Sequence, residues 1–172
     1  ISADSIVTLK NITFINGNDT YNGAVIRQEY GIVAIDNCVF TNNGGTNNQA
    51  LIQTKYGTLI ITNSVFDKNT AHKTGTSYGN IYLSDGSKLY VDNCNFTNNH
   101  NKYGVFYLSG SQGEITNCLF IGNNATSKSG GFGAGIYVSG TSTTNTSSGT
   151  ISPGKGSNLL VKNCEFINNT AF

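Results

Sequence analysis

The sequence predicts an all-β fold, a parallel β-helix of about six coils, and three observations support this prediction. A motif built on Asn-x-x-Phe recurs six times in 172 residues. Within each copy apolar and polar residues alternate, as expected of a β-strand with one buried face. Gly is frequent, with 21 residues, while Pro occurs once and only 11% of residues are charged. Polar uncharged residues combined with Val, Ile, Tyr, Phe and Thr are typical of a turn-rich β protein.

The copies of the motif have a spacing that fits one coil of a β-helix. Successive anchoring asparagines are separated by 26, 26, 30, 24 and 46 residues. These anchors are Asn11, Asn37, Asn63, Asn93, Asn117 and Asn163. A looser apolar motif lies between the copies, for example Gly23-Ala24-Val25-Ile26, so each unit is expected to hold two short strands. Units of this length that pair with their own copies form a solenoid.

The alternation places equivalent side chains in inward columns. One column is expected to contain Phe14, Phe40, Phe66, Phe96, Phe120 and Phe166. Coils repeat at roughly 4.7–4.9 Å, so these rings should rest on one another along the core. The anchoring asparagines are predicted to form corners, because Asn tolerates left-handed backbone and can hydrogen-bond its copies in neighbouring coils. The pair that follows each Phe, such as Asn98 and Asn99, is expected to turn the chain outward.

The four cysteines fall into one inward column with Ile12 and Ser64. They are Cys38, Cys94, Cys118 and Cys164. A column that accepts Ile, Cys and Ser requires a small and mostly apolar side chain, so packed free thiols are expected. Neighbouring coils are close enough for a disulfide between their cysteines, although side chains that point in parallel suit the geometry of that bond poorly. A metal or catalytic thiol is disfavoured, because the sequence has no Cys-x-x-Cys and no histidine near these cysteines.

Charge and hydropathy argue against several classes of partner. The net charge is +1 and Arg27 is the only arginine, so no nucleic-acid or anionic-lipid partner is expected. No apolar run is long enough to span a bilayer, and no cofactor is implied. The chain begins at Ile1 without Met, and residues 1–172 are interpreted as one β-helix domain, a mature product or a piece of a longer array.

An outward column of charged and polar residues raises the possibility of an enzyme, because β-helices also host polysaccharide hydrolases and lyases. It contains Lys10, Asp36, Thr62, Asp92, Thr116 and Lys162. Asp36 and Asp92 should lie two coils apart, about 9.5 Å, within the roughly 6.5–9.5 Å of an inverting glycosidase. The column also keeps like charges apart, as a solvated surface does. We interpret it as a solvated face and retain a polysaccharide-degrading enzyme as the alternative.

Ligand binding, if present, is predicted where the repeat is interrupted. The long spacing before the last copy reflects a Ser/Thr/Gly-rich insertion at 139–157, and such insertions in solenoids map to loops on one face. A second variable loop covers 71–79. Tyr21, Tyr56, Tyr78 and Tyr103 are loop aromatics suited to stacking on sugar rings. Among the Asn-x-Ser/Thr sequences, Asn124 and Asn145 are the better candidates for glycosylation.

The motifs resemble a known group of surface proteins. Phe40-Thr41-Asn42-Asn43 and Phe96-Thr97-Asn98-Asn99 show the Phe-x-x-Asn unit, which the first copy lacks because Gly17 holds the fourth position. The pattern is similar to the repeats of polymorphic outer membrane proteins of intracellular bacteria. It is still more similar to the adhesin-like surface proteins of methanogenic archaea, over nearly the whole chain.

The resemblance implies a single right-handed parallel β-helix on the outside of a cell, serving in adhesion or as a stalk, without catalytic residues. The implied partners are a cell-surface glycan or protein, and neighbouring repeats or subunits at the open ends of the helix. A self-assembling filament subunit is a further alternative.

Overall fold

The structure is a computed structural model that describes residues 5–19, 25–45, 50–71, 78–126, 132–140, 144–145, 151–152 and 155–172. These residues form four parallel sheets, here named A to D, and one two-stranded antiparallel pair. The chain visits the sheets in the order A, B, C, D and then returns to A, so every circuit is one coil. Each strand pairs in parallel with the equivalent strands of the neighbouring coils.

Strand lengths differ between the sheets but are constant within each sheet. Sheet A contains Ile6–Lys10, Ile32–Asp36, Thr58–Thr62, Lys88–Asp92, Gln112–Thr116 and Asn158–Lys162. Sheet B contains Thr13–Ile15, Val39–Thr41, Val65–Asp67, Asn95–Thr97, Leu119–Ile121 and Glu165–Ile167. Sheet C contains Asn18–Asp19, Gly44–Gly45, Thr70–Ala71, His100–Asn101, Asn124–Ala125 and Thr170–Ala171. Sheet D contains Ile26–Glu29, Ile52–Lys55, Ile81–Ser84, Phe106–Ser109 and Ile136–Ser139. The antiparallel pair is Thr144–Asn145 with Ile151–Ser152, inside the insertion.

The architecture confirms the all-β parallel solenoid and corrects two details of the prediction. Each complete coil contributes four strands rather than two, because the chain bends sharply between sheets A and B and again between B and C. Five coils contribute a strand to all four sheets, and the sixth contributes to A, B and C among the described residues. The number of complete coils is therefore slightly smaller than the six expected. We number the coils 1 to 6 in chain order.

Left-handed residues make the two bends. All six anchoring asparagines have φ between 50° and 57°. A second left-handed position lies between sheets B and C, with φ between 52° and 62°. It is occupied by Asn16, Asn42, Lys68, Asn98, Gly122 and Asn168. Asn and Gly tolerate this backbone at the lowest cost, so the spaced asparagines of the sequence dictate where each coil turns.

The phenylalanine column runs along the core under sheet B. Neighbouring rings are stacked with centroids 4.5–5.1 Å apart, from Phe14 to Phe166. The four rings of coils 2 to 5 are completely buried. Phe166 differs from the expectation for a core residue, since 48% of its surface is exposed. It stacks on Phe120 with one face, and no described coil covers the other.

The asparagine three residues after the Phe of coils 2 to 6 points inward, contrary to the expected outward turn. Asn43, Asn69, Asn99 and Asn123 are buried, and the half-buried Asn169 ends the series. Each amide nitrogen donates to the backbone oxygen of the Phe one coil before, at 2.8–2.9 Å. In all but Asn169 it also donates to the side-chain oxygen of the next asparagine, at 2.8–3.1 Å. Gly17 takes this position in coil 1, where its N–H donates to Asn43 Oδ1 at 2.8 Å. Because every partner is supplied by a neighbouring copy, this buried ladder depends on the repeat.

Candidate binding surface on sheet D

The cysteine column is a hydrogen-bonded part of the scaffold. All four cysteines are free thiols, and Cys38, Cys94 and Cys118 are buried. Each Sγ donates to the carbonyl oxygen two residues earlier, at 2.9–3.3 Å, and the Ser64 hydroxyl does the same at 2.7 Å. The N–H of residue 38, 64 or 118 in turn donates to the Oγ or Sγ of the next coil. The position therefore favours a small side chain that both donates and accepts, which Cys and Ser provide and Ile12 does not.

The surroundings of Cys94 and Cys164 suppress the reactivity of their thiols, whereas the hydrogen bond with Cys94 lowers the pKa of Cys118. The hydrogen bond with Cys118 and burial both raise the pKa of Cys94. Burial raises the pKa of Cys164 as well. A thiol is nucleophilic and binds metals as its thiolate, so the neutral form is poorly suited to either chemistry. Within the described ranges, no group of three or more His, Cys, Asp or Glu side chains is arranged to hold a metal ion.

The outward acidic column is tied into hydrogen bonds between coils. Asp36 Oδ1 accepts from Thr62 Oγ1 at 3.0 Å and from Asn63 Nδ2 at 2.8 Å, while its Oδ2 lies 3.0 Å from Lys10 Nζ. These bonds, with the one from Asn63 the largest contribution, lower the pKa of Asp36 to about 2. Asp36 is thus held as an ionised acceptor.

Asp92 repeats this arrangement two coils further on. Its Oδ1 accepts from Thr116 Oγ1 at 2.7 Å and from Asn117 Nδ2 at 2.6 Å, which lowers its pKa. A glycosidase requires one of its two carboxyl groups to be protonated near neutral pH, and such an acid normally has a raised pKa. The environments of Asp36 and Asp92 shift both pKa values in the opposite direction.

The anchoring asparagines share these inter-coil bonds. The side chains of Asn37, Asn93 and Asn163 donate to an asparagine of the preceding coil, at 2.8–3.2 Å. Asn63 and Asn117 donate to Asp36 and Asp92 instead. The corner column is therefore a mixed Asn/Asp ladder on the surface of the helix.

The predicted loop sites are only partly described. Asn124 begins a sheet C strand, and its Oδ1 is enclosed and has no hydrogen-bond partner in the described part of the chain. Asn145 lies in the antiparallel pair, and its side chain is outside the described residues, as are Tyr21 and most of the insertion at 139–157 and of the loop at 71–79. Tyr56 stacks on Tyr30 at 5.1 Å, at the corner between sheets D and A.

The outward side of sheet D carries an aromatic cluster. Residues that alternate with the buried Ile81, Leu83, Phe106 and Leu108 point away from the core. In register along the coils these outward residues are Arg27, Gln53, Tyr82, Tyr107 and Tyr137. The column thus changes from polar to aromatic at coil 3 and remains aromatic to coil 5.

Three further rings enlarge the cluster from the segments that lead into sheet D. Tyr78 stacks on Tyr82 at 4.0 Å, and Tyr103 stacks on Tyr107 at 4.9 Å. Phe132 stacks on Tyr103 at 5.1 Å and lies 5.3 Å from Tyr137. We name the six rings the aromatic face; its members are Tyr78, Tyr82, Tyr103, Tyr107, Phe132 and Tyr137. The tyrosines are half-buried and Phe132 is 40% exposed.

The aromatic face combines apolar rings with neutral hydroxyl groups. Burial, with a smaller contribution from Tyr78, raises the pKa of Tyr82 to about 12, so its hydroxyl stays protonated. The Ser139 hydroxyl donates to the Tyr107 hydroxyl at 3.3 Å. Ser84, Ser109 and Ser139 form the outer end of the same three strands. The surface therefore presents apolar area together with hydroxyl donors and acceptors, and Lys102 adds a positive charge 5.1 Å from the centre of the Tyr103 ring.

Sequence reasoning missed the strand tyrosines of this cluster and considered only loop aromatics. A signal was present: Ile81-Tyr82-Leu83, Phe106-Tyr107-Leu108 and Ile136-Tyr137-Val138 repeat one apolar–Tyr–apolar triplet. Period-two alternation places the central Tyr of each triplet on the face opposite its two apolar neighbours. The parallel register then stacks the three tyrosines in one column.

Comparisons with known proteins identify the family but not an activity. The family described as the right handed beta helix region matches residues 1–171, so the chain belongs to this family. The match also confirms the right-handed parallel β-helix expected from the sequence. Neither a curated protein nor a solved structure matches the chain significantly. The described residues form no helix with the length and hydropathy needed to cross a membrane.

Proposed function

We propose that this right-handed β-helix chain is an adhesin-like module on a cell surface, and that the aromatic face binds a partner protein. The observation that carries the proposal is the contiguous cluster of six rings on the outside of sheet D in coils 3 to 5. The resemblance of the repeats to adhesin-like surface proteins supports the proposed extracellular location.

The chemistry of the aromatic face is suited to a protein surface. Tyrosine has few side-chain rotors and offers both apolar area and a hydroxyl group, so it contributes contact area at a low entropic cost. Tyr beside Ser and Gly is a composition enriched in the binding loops of antibodies. Here Tyr82, Tyr107 and Tyr137 stand on strands, which hold the rings in place before any partner arrives.

An enzymatic function is less well supported by the geometry. The two carboxylates of the outward column are hydrogen-bonded to the next coil, and their pKa values are lowered rather than separated. We therefore propose that the chain binds without degrading its ligand.

An array experiment tests this function. The labelled chain is applied to arrays of extracellular proteins and of glycans, together with Tyr107→Ser and with Tyr90→Ser as the control. Tyr90 is an exposed tyrosine on sheet A, outside the aromatic face. We expect protein ligands that Tyr107→Ser loses and Tyr90→Ser keeps.

Two outcomes contradict the proposal. One is protein binding that Tyr107→Ser and Tyr90→Ser reduce equally, since the aromatic face would then have no special part. The other is hydrolysis of a polysaccharide panel by the wild-type chain that Asp92→Asn abolishes. Labelling of intact source cells by antibodies against the chain checks the location.

A further inference from the structure

The outward side of sheet A contains a groove that is separate from the aromatic face on sheet D. Strands Lys88–Asp92, Gln112–Thr116 and Asn158–Lys162 lie side by side in coils 4 to 6. Their register aligns Tyr90, Glu114 and Leu160 in one outward column. Lys88, Gln112 and Asn158 form the neighbouring column.

The groove follows the middle strand, where the half-buried Glu114 lies between two more exposed side chains. Tyr90 is 47% exposed and Leu160 is 53% exposed, so an aromatic wall and an aliphatic wall stand on either side of Glu114. The hollow between them has a volume of about 250 Å³, and Gly113 contributes backbone to its lining. A second hollow of about 240 Å³ lies across Tyr90 and is also lined by Glu114.

Glu114 occupies the centre of this arrangement as an acceptor that is still available. Its side chain is half-buried, and no hydrogen bond or ion pair joins it to another residue in the part of the chain that the structure describes. Asp36 and Asp92, by contrast, accept hydrogen bonds from the next coil. A half-buried carboxylate gains most from charge-assisted bonds to donors that a ligand brings.

We propose that this groove binds a neutral oligosaccharide. A sugar ring has an apolar face that packs on an exposed aromatic such as Tyr90, and hydroxyl groups around its edge. Those hydroxyls donate to the Glu114 carboxylate, and the amides of Gln112 and Asn158 both donate and accept. The two hollows, which both have Tyr90 and Glu114 in their linings, provide space for more than one ring.

The charges of the groove favour a neutral sugar over an acidic one. Glu114 lies at the centre of the floor, where the carboxylate of a uronic acid would meet a like charge. Lys88 is the opposite charge in the lining, and it is exposed at the end of its strand, where a long side chain remains in water. The groove is shallow, so we expect a weak affinity, with a dissociation constant of about 1 mM.

Titration of the labelled chain by NMR tests the proposal. Neutral oligosaccharides of glucose, galactose, mannose and N-acetylglucosamine are compared with oligogalacturonate of the same length. We expect at least one neutral series to shift the amides of residues 112–116, and oligogalacturonate to bind at least about tenfold more weakly. Tyr90→Ala should weaken neutral binding about tenfold or more. Glu114→Gln should reduce the difference between the affinities for neutral and acidic sugars.

Tyr30→Ala serves as the control, because Tyr30 is an exposed tyrosine outside both the aromatic face and the groove. The proposal is overturned if no neutral series shifts these amides at sugar concentrations of about 10–20 times the expected dissociation constant. It is also overturned if Tyr90→Ala binds neutral sugars as tightly as the wild type. It is equally overturned if oligogalacturonate binds as tightly as the neutral sugars. These results leave the proposed function of the aromatic face untouched, since Tyr107→Ser tests that face separately.

Discussion

The columns inside the helix and the outward column of sheet D follow different rules. Inside the helix, the phenylalanine column and the buried asparagine ladder repeat nearly one residue type from coil to coil, as with the phenylalanines from Phe14 to Phe166. The outward column of sheet D changes from Arg27 and Gln53 to tyrosine at coil 3. Stacking and inter-coil hydrogen bonds require the inner identity, whereas nothing in the coil geometry requires tyrosine outside. We infer that the inner columns serve the fold, and that the changed outer column serves binding.

The largest effect is expected when one ring within the phenylalanine column is truncated. Phe96→Ala should lower the free energy of unfolding by about 3–5 kcal/mol, because it leaves a cavity among completely buried rings. Phe166→Ala is the matched control and should cost clearly less, since its ring is 48% exposed. Urea denaturation measures both variants. Equal losses would mean that burial does not determine the energy of the column.

The second largest effect is expected in the buried asparagine ladder. Asn99→Ala should lower the free energy of unfolding by about 3 kcal/mol, because it leaves the N–H of Asn69 and the backbone oxygen of Phe66 without partners. Asn98→Gly, at the adjacent exposed corner, is the control and should change stability little, since Gly accepts its φ of 53°. If both variants unfold at the same urea concentration, the ladder contributes nothing beyond the turn.

A smaller effect is expected at the surface corners. Asn93→Ala should cost about 1–2 kcal/mol, because Ala disfavours the left-handed backbone that Asn93 adopts at φ 52°. Asn93→Gly should recover most of that loss, although it still lacks the hydrogen bond to Asn63. Thermal and urea unfolding distinguish the two variants, and a larger loss for Gly than for Ala would contradict the role assigned to the corner.

The smallest effect concerns acid. Hydrogen bonds from Asn63, Lys10 and Thr62 lower the folded pKa of Asp36 from 3.8 to about 2. A lowered folded pKa stabilises the ionised form, so this contribution is present above about pH 4 and is lost as the pH falls towards 2. Asp36→Asn should therefore show a weaker loss of stability between pH 4 and pH 2 than the wild type, measured as the urea midpoint at each pH. If the urea midpoints of both proteins fall equally between pH 4 and pH 2, the hydrogen bonds to Asp36 do not contribute to stability.

Much of the scaffold could be predicted from sequence because its determinants are local and repeated. The alternation and the spaced asparagines indicated the parallel coils, and the structure places both corners at Asn or its substitutes. The inward turn of Asn99 could not be seen, because it depends on the Phe66 oxygen, 33 residues earlier in the chain and one coil away. The two candidate sites were missed for a similar reason. Tyr82, Tyr107 and Glu114 gain their surroundings only from the register between coils.

The free energy of unfolding of Tyr107→Ser tests whether the outward tyrosines are needed for the fold. If the aromatic face serves binding and the inner columns hold the fold, this variant should unfold cooperatively and lose no more than about 1.5 kcal/mol, the scale of its ring contacts. A loss as large as that of Phe96→Ala would contradict the account, because the outward tyrosines would then be part of what holds the coils together.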